Sequence, residues 1–93
     1  MTTKADFITT EFPKLNFYTS QILKVHGAHH PELGTVRELF VDIATKIDAD
    51  PEADLTAELG QLAVVTDNYT VPADGCEAYQ ATYELLADFQ QIA

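Results

Sequence analysis

The residues best suited to chemistry in this chain are its three histidines. His26, His29 and His30 all fall in one stretch, Lys24 to Phe40, which reads KVHGAHHPELGTVRELF. Imidazole binds transition metals and carries protons near neutral pH. His26 and His30 are four residues apart, the spacing that sets two ligands on one face of a helix. Gly27 and Pro31 break a helix at that point, so His29 and His30 are expected to be solvated or capping residues. Cys76 is the one cysteine. It can form no intrachain disulfide, which fits a reducing cytoplasm. A small buried hydrophobe is its expected role. The one serine, Ser20, has no partner set for a hydrolytic triad. No glycine-rich phosphate loop is present.

The elements that must position the histidine stretch are helical. Ile8, Phe12, Leu15, Tyr18, Ile22 and Val25 recur at steps of three and four, the helical period. Thr3 and Asp6 have the spacing of an N-terminal cap. Pro13 lacks a backbone donor, so a kink or break is expected near Thr9 to Phe12. Gly27 should end this first helix. A second helix is expected from Pro31, with Leu33, Val36, Phe40, Ile43 and Ile47 on one stripe. Asp42 and Lys46 are spaced to pair by about 0.3–0.5 kcal/mol. Asp50 and Pro51 should start a third helix carrying Leu55, Leu59, Leu62 and Val65. Gly60, inside it, suits the close approach of a neighbouring helix. Asp67 to Gly75 reads as a loop. Asp74 with Glu77 resembles a capping box for a fourth helix, whose inner stripe is Cys76, Tyr79, Tyr83 and Leu86. Leu85, Phe89 and Ile92 widen that face.

Four amphipathic helices with short connections predict a single domain, residues 1–93, folded as an all-α, up-down-up-down four-helix bundle with its first helix kinked near Pro13. Its core should hold Leu15, Ile22, Val36, Phe40, Ile43, Leu59, Leu62, Tyr83 and Leu86. Fifteen acidic and five basic residues give a formal net charge of −10. Such a surface repels phosphate backbones and anionic lipid, so neither nucleic acid nor membrane is an expected partner. The chain has no apolar run of spanning length. Its start, MTTKADFITTEF, lacks the layout of a signal peptide.

Two stretches carry a family resemblance. KVHGAHHPELGTVRELF resembles the corner between the first and second helices of the hemerythrin-like domain in the repair-of-iron-centres (RIC) proteins. TDNYTVPADGCEAYQATYELL, Thr66 to Leu86, is similar to that family's lead into its last helix: Asn-Tyr-Thr, a proline, a cysteine and an aromatic follow in the same order. The resemblance implies a cytoplasmic protein of iron–sulfur cluster repair and stress response. In that family two irons sit inside the bundle, held by histidines and two bridging glutamates.

Carried over by position, the resemblance implies His26, Asp50 and Asp54 as the candidate metal ligands. His26 keeps the family's identity. Asp50 and Asp54 fall near the positions of a family histidine and of a glutamate four residues beyond it. Ala5 stands where another histidine is expected. Glu52 is the nearest ligand-capable residue to the opening of the third helix. The final histidine and glutamate of the fourth helix have no counterpart before Ala93. Iron is therefore the implied cofactor, without a stable di-iron centre in one chain and with no complete catalytic constellation. A protein partner or a homodimer is the implied partner. The alternative expectation is a metal-free helical interaction or regulatory module.

Overall fold

A computed structural model describes residues 3–93, which contain four helices and no strand. They are α1 (Lys4–His26), α2 (Glu32–Ala49), α3 (Thr56–Val65) and α4 (Glu77–Ile92). The Thr3 side chain accepts a hydrogen bond from the Asp6 backbone N–H at 3.1 Å and caps α1 as its spacing predicts. α1 runs through Pro13 without a break. Thr9 and Pro13 both face solvent, where water can serve the carbonyl that proline leaves unpaired.

α1 packs against α2 and α4, and α2 against α3. Paired contacts give the directions. Phe12 meets Phe40 near one end of the α1–α2 seam, and Arg37 reaches Asn16 and Thr19 further along it. Phe7 meets Phe89 at one end of the α1–α4 seam and His26 meets Tyr79 at the other. Both pairs are antiparallel. The Cα radius of gyration is 12.5 Å, against about 12 Å for a compact chain of this length.

Phe12 is the hub of the core. Its ring meets Phe40 at 5.2 Å and Phe89 at 5.1 Å, both edge-on, and Phe7 at 6.3 Å. Edge-to-face pairs of this kind add about 0.5–1.5 kcal/mol each beyond area burial. Leu15, Ile22, Val36, Ile43, Leu62, Tyr83 and Leu86 are buried as expected, while Leu59 is only partly buried. Phe7 and Thr19 also lie inside, and Val25 is 65% exposed. The stripe on α1 is thus turned by about one residue from the one predicted at its two ends. Thr19 can be buried because its hydroxyl donates to the Leu15 carbonyl at 2.7 Å and accepts from Arg37 Nη1 at 2.9 Å. Arg37 also donates to the Asn16 carbonyl and side chain, both at 2.8 Å, and ties α2 to α1.

Several local expectations are corrected. Gly27 does end α1 as its C-cap, but with right-handed geometry (φ −59°) and not the left-handed form usual for glycine there. Lys46 pairs with Glu58 of α3 at 2.5 Å rather than with Asp42. α3 begins at Thr56, so Asp50 and Pro51 lie in the turn before it. A side chain at Gly60 would meet nothing within 4 Å, so no helix approaches closely there. Among the described residues, the left-handed ones are Asp67, Asn68 and Tyr69, with φ of 52°, 55° and 62°. They are held by bonds from the Asn68 N–H to the Ala63 carbonyl at 2.8 Å and from the Tyr69 N–H to Thr66 Oγ1 at 3.0 Å.

Phe40 is 2% exposed and touches the hub. Phe40→Ala is expected to destabilise the bundle by about 3–5 kcal/mol in urea unfolding. A loss under about 1 kcal/mol would show that the α2 stripe does not face the core.

Candidate functional site

The turn after α1 folds back within five residues, and two of its three histidines meet the start of α4. His29 N–H and His30 N–H both bond the His26 carbonyl, at 3.0 and 2.8 Å. This closes the chain into a tight turn and sets His26 and His30 side by side, their ring centres 6.5 Å apart. Tyr79 of α4 packs against both, at 5.3 and 5.7 Å. His29 points away and is exposed.

His30 is a bridge, not a solvated residue as expected. Its Nδ1 lies 3.2 Å from Glu32 Oε1 and its Nε2 lies 3.0 Å from both oxygens of Asp74. Ionised carboxylates only accept hydrogen bonds, so this arrangement is complete when both ring nitrogens carry protons. The hydrogen bond to Asp74, then its charge, then Glu32, hold the His30 pKa above its ordinary value despite partial desolvation. The same bond lowers that of Asp74. Asp74 thus serves the corner and not α4, whose N-cap is Cys76 without a side-chain hydrogen bond. Gly75 lets the lead-in turn this sharply: a methyl group there would lie 2.7 Å from Val71 Cγ1 and 3.1 Å from the Pro72 carbonyl oxygen.

Cys76 is exposed, which corrects the expectation of a buried hydrophobe. Its Sγ lies 3.3 Å from His26 Nε2, within hydrogen-bond reach for sulfur. Cys76 also borders a small apolar recess of about 160 Å³ lined by Phe17, Tyr18, Ile22 and Val25.

The three candidate ligands do not come together. His26 ends α1 at one end of the bundle. Asp54 shares a surface recess with Lys4, at the other end of α1. α1 separates those ends by about 33 Å at 1.5 Å per residue. Asp54 Oδ1 accepts from the Thr56 hydroxyl at 2.6 Å and backbone N–H at 3.0 Å, which caps α3 and lowers the Asp54 pKa. Asp50 Oδ1 accepts from the Glu52 N–H at 3.0 Å. Both aspartates are exposed turn residues. Among the described residues, no group of three or more His, Cys, Asp or Glu side chains is placed to hold a metal. Among the described residues, the buried polar residues other than tyrosine are Thr19, Thr66 and Thr82, which are poor iron ligands. The donor set does not fit an iron site inside the bundle.

Asp74, Glu32 and the His26–Cys76 contact were not legible as a site. Asp74 and Glu32 have local uses as helix-start residues that fully account for them in sequence. The pairing of Asp74 with His30 spans 44 residues, and that of His26 with Cys76 spans 50, so no periodicity marks either. Compared with known proteins, the chain matches no family model, no curated protein and no solved structure.

The raised His30 pKa has a definite sign for stability. The bridge contributes fully below 6.5 and is lost as pH rises through the raised folded value. The lowered Asp74 pKa adds a second limit: its contribution is present above 3.8 and lost as pH falls through the depressed value. Wild type should therefore exceed His30→Gln in stability most at mildly acidic pH, with the gap closing toward higher pH. Paired urea titrations across pH, with imidazole proton shifts from NMR, measure this. A gap constant in pH would mean that His30 is not held protonated by Asp74.

Proposed function

We propose that this chain is a helical interaction or regulatory module related to the iron-centre repair bundles, which works without an intramolecular di-iron centre. One observation carries the reading. The bundle axis is filled by Phe7, Phe12, Phe40 and Phe89, with Leu15, Ile22 and Ile43 along it, where a hemerythrin-like centre would need inward histidines and carboxylates. The stability of the fold is that of apolar packing. The function is then exercised at surfaces, toward a protein partner, in a cytoplasmic, stress-related setting of iron–sulfur maintenance.

A second reading keeps iron as a cofactor, with ligands pooled in a homodimer around His26. It is favoured by the meeting of the two motif stretches, 24–40 and 66–86, through His26 with Cys76 and His30 with Asp74. The two stretches thus form one corner in space. No helix of the described residues is long and apolar enough to cross a membrane.

Anaerobic ferrous titration of wild type and His26→Ala separates the readings. A metal-free module takes up well under one iron per two chains, and His26→Ala does not change that. Chelator leaves its thermal midpoint unchanged within a few degrees. A fall of more than about 10 °C would exceed the roughly 4–8 °C expected per kcal/mol for a domain of this size. Metal would then be a structural component, and the second reading would stand.

A further inference from the structure

The seam between α1 and α4 bears two separate recesses, one toward each end. On α1, Asp6, Glu11, Phe17 and Val25 fall within an arc of about 140° of the helix, on the side that borders them. At one end, this face and α4 enclose an open groove of about 700 Å³ with Phe7, Leu85 and Ile92 among its lining. At the other end lies the 160 Å³ recess beside Cys76. Phe17 is 58% exposed there, close to Val25. Exposed apolar side chains that adjoin a recess form a patch of the kind that marks interaction sites.

The charges bordering the larger groove are one-sided. Asp6, Glu11 and Asp88 border the larger groove. Neither Asp6 nor Asp88 has a salt-bridge partner among the described residues, and Lys14 on the same stretch of α1 is paired with Glu11 at 3.4 Å. The whole chain carries a net charge of −10. A second copy of the same acidic face would be repelled there, and a cationic segment attracted. Asp6 to Val25 spans about 28 Å, the length of an amphipathic helix of about nineteen residues.

We infer that the α1–α4 seam docks an amphipathic helix of a partner protein, basic where it lies over Asp6 and Asp88 and apolar where it covers Phe17 and Val25. This inference rests on the interaction-module reading and names its partner class. The mode is helix in groove: apolar side chains at steps of three and four enter the recesses, and lysines or arginines meet the acidic rim. The rim sets orientation and association rate, and the apolar end sets residence time.

The test uses the full chain and a fluorescent synthetic helix of about nineteen residues, with leucines along one face and lysines at one end. Anisotropy titrations should show saturable binding. Phe17→Asp should weaken it at least about tenfold. Asp6→Asn with Asp88→Asn should weaken it less and flatten its salt dependence. All these positions are exposed, and circular dichroism checks that each variant stays folded. A scrambled peptide of the same composition, with no single apolar face, should bind at least about tenfold more weakly. Equal binding of the scrambled peptide, or no loss with Phe17→Asp, would overturn the groove as the site. So would concentration-dependent dimerisation of the chain that Phe17→Asp abolishes, because a second copy would then be the occupant. The interaction-module reading fails separately, by stoichiometric iron uptake.

Discussion

The ring of Phe12, wedged among Phe7, Phe40 and Phe89, is the constraint on which the rest of the structure depends. It joins three of the four helices at one level. Once Phe12 is seated, α1 and α2 are locked in register, and so are α1 and α4. That register delivers His26 to Cys76 and His30 to Asp74 at the far end of α1. The corner is precise because a rigid apolar layer elsewhere fixes the helices that carry it. The same layer occupies the space in which a buried metal centre would have to be built.

Charge is used differently at the two ends. At the histidine end, carboxylates are consumed internally: Glu32 and Asp74 close on one imidazole and link the start of α2 to the lead-in of α4. At the opposite end, Asp50 and Asp54 are consumed by backbone N–H groups of the turn and of α3. Asp6 and Asp88, which have no salt-bridge partner among the described residues, border the groove between α1 and α4. An acidic composition thus resolves into some groups that hold turns and others that face outward.

The helices were legible in the sequence because periodicity is local. Leu33, Val36, Phe40, Ile43 and Ile47 all lie on the buried stripe of α2 that their spacing predicts. At the ends of α1 the phase was less secure. Phe7 and Ile8 compete for the same stripe, as do Tyr18 and Thr19, and a threonine is not read as core unless its hydroxyl is known to be satisfied by Leu15 and Arg37. Asp74 shows a second limit. It has a familiar local use at a helix start, and its tertiary contact with His30 overrides that here. The corner itself was half legible. His26 and His30 stood out by type, but Cys76 and Asp74 are 50 and 44 residues away from them, about half the chain, and only packing brings those together.

The connection from α3 to α4 differs in kind from the one between α1 and α2. Three consecutive left-handed residues, one of them the bulky Tyr69, store strain of about 1–2 kcal/mol each for ordinary side chains and less for Asp67 and Asn68. Burial also pushes the Tyr69 hydroxyl up to about 12, and that hydroxyl is buried without a hydrogen-bond partner. Strain and an unsatisfied buried group both favour the opened form of this segment over the closed one. The stretch from Asp67 to Cys76 thus carries strain that its packing through Tyr69 and Val71 must offset. The bond between His30 and Asp74 fastens the end of that stretch to the turn after α1, so the protonation of one imidazole bears on how firmly a strained connection is held.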